Sequence, residues 1–385
     1  MHALIRNFKM GNYRTCQAFL WIILYLTIID IAINLIFKFP ENPDKSPPSF
    51  LQGYFEYGRS VEGKFARLAS KSGNNQSAPI IGYGWLQNMQ YESRPEKADN
   101  GQTLIAVYGM SHANLLGEAI AKKDNKYVIR SIAGPGTPPG WSFAMYRADK
   151  GHHEASVVIL GIMTENVAFL SATSGATSYF DMSHPYTFPR YFLQDGLLKE
   201  IYPPFYTEEG FKNYLFDPFK WTEYRNWLAR YDKFYSPFLF KESIIDKSAL
   251  FRVLRRAYSE RFKENRISSI LTNNGFNMNS EEVMVLHKIL ETFAKEVRME
   301  KKIPIVYIVN NEGRGDHLYR ALQPVLEANK IPYLSTHIIC PPDNPRVFLG
   351  INSHFTAEKD IELAQEIIKI IEDIKVDNES RHRYE

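Results

Sequence analysis

The apolar positions of this chain change their rhythm three times. From Ala18 to Phe37 they are nearly continuous (AFLWIILYLTIIDIAINLIF), twenty positions in which only Asp30 is charged at neutral pH. A helix of that length covers a hydrocarbon core of about 30 Å. The run ends in Lys38, Phe39 and Pro40 rather than a small-residue cleavage pattern, so it is expected to stay as an anchor. Arg6, Lys9 and Arg14 precede it without an acid. The positive-inside rule then places residues 1–17 in the cytoplasm and the main domain outside, periplasmic or extracellular. Asp30 reads either as the mark of a partner helix or as a tolerated polar residue near one end.

Residues 38–102 form a stalk and an N-terminal extension. The stalk, PENPDKSPPSF, is too proline-rich to be helical throughout. An amphipathic helix is expected over 51–70, with Phe55, Val61, Phe65 and Leu68 as its stripe, and polar loops over 71–78 and 93–102.

From 103 the pattern alternates. Leu104–Tyr108, Tyr127–Ile132, Ala155–Met163, Ile303–Val309 and a short run near Tyr333–His337 read as strands. Helices are expected over 112–122, 141–147, 280–298, 316–329 and 357–373, with an Asn279/Glu282 capping box and Thr356 as a cap. The alternation predicts an α/β fold with a mostly parallel sheet covered on both faces over 103–374, followed by a polar tail, 375–385. Residues 167–279 interrupt it as an insertion crowded with aromatics (Tyr186 to Trp227) and broken by prolines. The insertion reads as a lid, a sugar-stacking wall, a membrane-facing patch, or a subdomain packing its own core. The basic stretch Ser248–Lys263 reads as a solvated helix face near anionic lipid or polysaccharide.

A net charge of +3 gives no nucleic-acid footprint. Two isolated cysteines, Cys16 and Cys340, make neither a disulfide scaffold nor a metal spacing. His152-His153-Glu154 resembles a metal cluster, but adjacent residues rarely chelate together and no second ligand group accompanies them. No metal and no cofactor are expected.

In parallel α/β sheets, ligands bind beyond the carboxyl ends of the strands. There the chain places Gly109-Met110-Ser111-His112, then Gly134 and Gly136, then Thr164-Glu165-Asn166, and finally Asn352-Ser353-His354 before the last helix. A serine opening a helix sits among unpaired N–H groups at the positive end of the helix dipole. Taken alone it is more often a cap. The histidine is the residue type that accepts a hydroxyl proton near neutral pH.

The order and context of these blocks resemble the SGNH (GDSL-like) hydrolases, with a further likeness to alginate O-acetyltransferase-like proteins in the last block. The resemblance covers roughly 103–166 and 280–374. It implies a three-layer, flavodoxin-like α/β/α fold, Ser111 as nucleophile and His354 as base. The oxyanion hole it implies is formed by the Ser111 N–H, Gly136 (with Gly134 as the alternative) and Asn166, with Glu165 the position that competes with Asn166 one residue earlier. Met110 stands where the family carries Asp. Asn352 stands where the family carries the acid that orients the histidine; an Asn carbonyl can accept from the ring, although Asp→Asn in a serine triad costs about 10⁴-fold. Two readings therefore stay open. One is a membrane-anchored esterase or O-acyltransferase acting on acylated envelope or extracellular polysaccharide. The other is a degenerate domain that binds glycan or scaffolds a complex. The expected partners are the lipid bilayer, polysaccharide, and other membrane proteins of a synthesis or export complex.

Overall fold

The computed structural model describes residues 2–40, 46–70, 84–85, 94–134, 136–350 and 354–382. The chain opens with α1 (His2–Ile36), α2 (Phe50–Tyr57) and α3 (Val61–Ser70). Then follow β1 (Thr103–Met110), α4 (Ser111–Lys123), β2 (Tyr127–Gly134), α5 (Pro139–Asp149) and β3 (Val157–Met163). The insertion holds α6 (Gly175–Ser178), β4 (Arg190–Gln194), β5 (Leu197–Ile201), α7 (Glu208–Leu215), α8 (Pro218–Tyr231), α9 (Pro237–Phe240), α10 (Ala249–Ser268), β6 (Leu271–Thr272) and β7 (Gly275–Phe276). The last elements are α11 (Glu281–Met299), β8 (Ile303–Val309), α12 (His317–Ala328), β9 (Tyr333–Ser335) and α13 (Ala357–His382).

These elements form two units. One comprises Met1–Pro79, Tyr179–Ser183 and Ser236–Phe262; the other holds Ile80–Ser178, His184–Tyr235 and Lys263–Glu385. The insertion is thus divided, its 236–262 stretch grouping with the N-terminal unit.

In the N-terminal unit, Thr15–Ile36 of α1 is long and apolar enough to cross a membrane. Asp30 has its partner within the chain: the Ser248 hydroxyl and the Leu250 N–H donate to its Oδ1 at 2.9 and 2.8 Å. The helix expected over 51–70 breaks at Gly58-Arg59-Ser60, because Ser60 turns its N–H and hydroxyl to the buried Asp246 carboxylate (2.7 and 3.0 Å). The expectation of a solvated basic face for Ser248–Lys263 is corrected. Arg252 and Arg255 are buried, Arg255 donating to Asp246 Oδ1 at 2.6 Å and Arg252 to the carbonyls of Phe55 and Asp246.

The other unit carries a five-stranded parallel sheet in the order β2-β1-β3-β8-β9. Its strands are buried almost throughout, which is why they read as unbroken apolar runs rather than alternating ones. Ile105, Val107, Ile159, Ile305 and Tyr307 pack with Leu116 and Ile120 of α4 and with Leu363, Ile367 and Ile371 of α13. On the opposite face Tyr108 meets Tyr146 of α5, and Tyr146 meets Phe293 of α11, edge to face at 5.7 and 5.2 Å. Each such buried side chain contributes about 1.5–3 kcal/mol.

Some boundaries move. The cap of α11 is Ser280, whose hydroxyl accepts from Val283 N–H; Asn279 instead donates its own N–H to Asn277. The last helix runs to His382, because nothing between 374 and 382 is Gly or Pro, so most of the polar tail is helical. The expected loop over 71–78 lies outside the described residues. The expectation that the aromatic insertion packs a core of its own is met only in part: Phe205, Phe211 and Tyr224 cluster, with Phe205 and Tyr224 ring centroids 4.6 Å apart, whereas the buried Tyr186 and Tyr191 pack on Trp141 and Phe143 of α5 at 6.4 and 5.4 Å.

Candidate active site

The parallel register brings the loops together at one edge of the sheet. Met110, the last residue of β1, lies opposite Gly134, the last of β2, and Tyr108 lies opposite Leu160 of β3. Where β1 ends, α4 begins at once. Met110 is its extended N-cap residue and makes no side-chain cap bond, so Ser111 is the first helical residue. The serine is therefore not the cap that a lone sequence reading favours. This abrupt turn depends on close approach: a Cβ on Gly161 of β3 would lie 2.8 Å from the Ala113 Cβ, and one on Gly109 would lie 2.9 Å from the same atom. Neither position accepts a larger residue without displacing the first turn of α4.

The Ser111 hydroxyl meets His354 instead. Its Oγ lies 2.8 Å from His354 Nε2, although the two residues are 243 positions apart. Both are half-buried. The imidazole rests against its neighbours, its ring 4.8 Å from that of His112, which in turn lies edge-on to Phe355 at 5.1 Å. His354 is held in place by Leu349, whose N–H donates to the His354 carbonyl at 2.8 Å. A serine oxygen at this distance from a ring nitrogen, at the positive end of a helix, is the arrangement in which a base activates a hydroxyl nucleophile.

Thr137 links the remaining loops. Its hydroxyl donates to the Gly109 carbonyl at the end of β1 (2.9 Å), and its own carbonyl accepts from Asn166 Nδ2 (3.0 Å). Gly136, immediately before it, has φ +61°, a left-handed conformation that favours glycine. The loops after β1, β2 and β3 are thus joined through one residue. Asn166 is buried and turned inward to Thr137. Glu165 turns elsewhere, its N–H to Asn311 Oδ1 at 3.3 Å and its carboxylate to Arg314 at 3.3 Å. Of the two competing positions, only Asn166 is joined to the Ser111 loop. Asn352 lies outside the described residues.

Thr137 escapes a reading of motifs. The one available signal for Thr137 was a hydroxyl within a Gly-Pro loop. Thr137→Val keeps the shape and removes the bond to Gly109, a change of about 1 kcal/mol in stability. Because a small misplacement of reacting groups is costly, it is expected to slow covalent labelling of Ser111 about 10-fold or more. A labelling rate equal to wild type would show that Thr137 does not position the loops.

Burial pushes the Cys340 thiol up to about 12, so it stays protonated. Burial and the neighbouring Glu118 raise Asp360, in the first turn of α13, to about 6. In the His152-His153-Glu154 stretch, both ring nitrogens of His153 are engaged, and Glu154 pairs with Lys97. Among the described residues, no group of three His, Cys, Asp or Glu side chains is placed to hold a metal ion.

The fold and site together define an α/β domain with a serine–histidine pair at the carboxyl edge of a parallel sheet. In comparisons with family models, curated proteins and solved structures, none matches this chain.

Proposed function

We propose that this chain is a membrane-anchored, extracytoplasmic serine esterase or O-acyltransferase of the SGNH-like kind, acting on acylated envelope or extracellular polysaccharide. The observation that carries the reading is the 2.8 Å approach of His354 Nε2 to Ser111 Oγ at the start of α4. The sheet order 2-1-3-4-5, counted in strands of this sheet, supports the expected flavodoxin-like layering. The apolar Thr15–Ile36 helix supports the anchor, and the basic flank before it supports the orientation.

In the proposed reaction His354 takes the hydroxyl proton as Ser111 Oγ attacks the ester carbonyl carbon. The oxyanion is stabilised by the Ser111 and Gly136 N–H groups and by Asn166. The amide of Asn166 carries two N–H donors; one is on Thr137 and the other is assigned to the oxyanion. The tetrahedral intermediate expels the alcohol, which takes the proton from His354, and leaves Ser111 acylated. Water then attacks in hydrolysis, or a sugar hydroxyl in transfer, with His354 again accepting the proton; the second tetrahedral intermediate breaks the Ser111 Oγ–acyl bond as His354 returns that proton to Oγ.

A fluorophosphonate probe tests this directly. Wild-type protein is expected to be labelled and Ser111→Ala is not. Equal labelling of the two would remove Ser111 from the chemistry and leave the glycan-binding or scaffolding reading.

A further inference from the structure

Helix α10 is built inside out. Its inward positions carry Arg252 and Arg255, which are 6% and 0% exposed, while Phe251, Leu254 and Tyr258 are 55%, 61% and 44% exposed. A helix of a water-soluble surface places these residue types the other way round. The inward arginines are engaged by polar groups: Arg255 donates to Asp246 Oδ1 and Ser243 Oγ, and Arg252 to the Phe55 and Asp246 carbonyls and to Asn34 Oδ1 at 3.1 Å. The outward residues, spaced three and four apart, form one apolar stripe. Phe238 widens it, its ring edge-on to Tyr258 at 5.1 Å, and Ile244, just before the helix, is 75% exposed.

The depth of this stripe is set by the span. Asn34 and Asp30 both lie in α1, and Asp30 receives the Leu250 N–H and Ser248 hydroxyl that open α10. Asp30 lies six residues before the end of the Thr15–Ile36 segment. At 1.5 Å per residue that is about 9 Å inside it. Between Thr15 and Ile29 every residue of α1 is exposed, whereas Asp30, Ile33, Asn34 and Phe37 are half-buried on one face. The start of α10 is therefore fastened to a level of the anchor that lies within the bilayer boundary.

We propose that the Phe251–Leu254–Tyr258 face of α10 lies in the membrane interface beside the point where the span emerges, and that its occupant is lipid. The stripe begins at Phe251, next to Leu250, whose N–H is bonded to Asp30 of α1, so it starts beside the span. Tyr258 has the amphipathic ring favoured at headgroup level, and the exposed Arg261 follows on the same side, toward anionic phosphates. The N-terminal unit is then an interfacial collar, and Asp30 within the span serves as the acceptor that docks it. This inference stands on the span and is independent of the chemistry at Ser111.

The test uses the full chain in phosphatidylcholine–phosphatidylglycerol vesicles. Cys16→Ser removes the exposed thiol, and Cys340 is buried. A bimane label is placed in turn through Phe251→Cys, Leu254→Cys and Tyr258→Cys. Glu260→Cys, on an exposed polar position of α10, and Ile23→Cys, within the span, are the references. Nitroxide-bearing lipid is expected to quench the three stripe labels and the Ile23 label several-fold more than the Glu260 label. Aqueous iodide should show the reverse. Equal iodide quenching at 254 and 260 overturns the proposal. Stripe labels shielded from both quenchers overturn it in favour of a protein partner or a second copy. An Ile23 label that lipid does not quench overturns it by removing the span itself. Agreement among the three stripe positions guards against one variant that misfolds.

Discussion

His354→Ala is expected to lower the rate of Ser111 acylation by about 10³-fold or more while leaving the folded protein intact. The ring is hydrogen-bonded to Ser111 Oγ, and it is half-buried, so its loss opens no large cavity. A free serine hydroxyl is a poor nucleophile at neutral pH, and its reactivity depends on a base within hydrogen-bond reach. The substrate's contacts with the rest of the site are untouched, so the loss falls in kcat rather than KM. Stopped-time fluorophosphonate labelling and hydrolysis of a chromogenic acetyl ester measure it, with thermal melting as the control. A loss smaller than about 10-fold with unchanged melting would mean that the 2.8 Å contact does not activate the serine, and that the pair is a remnant.

That pair was legible from the chain because its two halves lie at strand and helix ends. The runs LIAVY and VVILGIM are apolar without alternation, which only a strand covered on both faces requires, and the first strand stops one residue beyond its glycine, at Met110. Parallel connectivity then puts every following loop on one edge. The limits of the reading are equally specific. Thr137 matters through where its hydroxyl and carbonyl point, and a Gly-Pro loop has no period from which direction can be read. Ser60 breaks a helix because of Asp246, 186 residues away. The inversion of α10 depends on the same remote groups: an arginine reads as solvated until Asp246, Asn34 and the Phe55 carbonyl are known to surround it.

The second large effect lies away from the serine, in a buried chain of four polar side chains between the sheet and α5. Arg130 of β2 grips Asp149 with two hydrogen bonds, Nε to Oδ2 at 2.8 Å and Nη2 to Oδ1 at 2.6 Å. The Tyr108 hydroxyl donates to Asp149 Oδ2 at 2.7 Å and lies 2.9 Å from His153 Nε2. The Ala155 N–H donates to His153 Nδ1, so the ring is neutral with its proton on Nε2, directed at the Tyr108 oxygen. Burial alone would raise the Asp149 carboxyl, but Arg130 and Tyr108 outweigh it and hold it below its usual value. Burial drives His153 down to about 4 against the attraction of Asp149. Asp149→Ala leaves the Arg130 guanidinium charged in the core and is expected to cost about 3–5 kcal/mol at pH 7. The pH dependence has a definite sign. In the unfolded chain the histidine takes up a proton below its ordinary value of 6.5, while in the folded protein it stays neutral until about 4. Its contribution to stability is therefore present above pH 6.5 and is lost as pH falls toward 4, by about 2 kcal/mol between pH 7 and 4.5. Asp149 adds a loss of the same sign below its unfolded value of 3.8. Urea unfolding in detergent micelles at the two pH values measures both effects, and His153→Gln should flatten the slope between them. An Asp149→Ala cost under about 1 kcal/mol would mean that water reaches Arg130, and that the sheet does not depend on this chain of bonds for its stability at neutral pH.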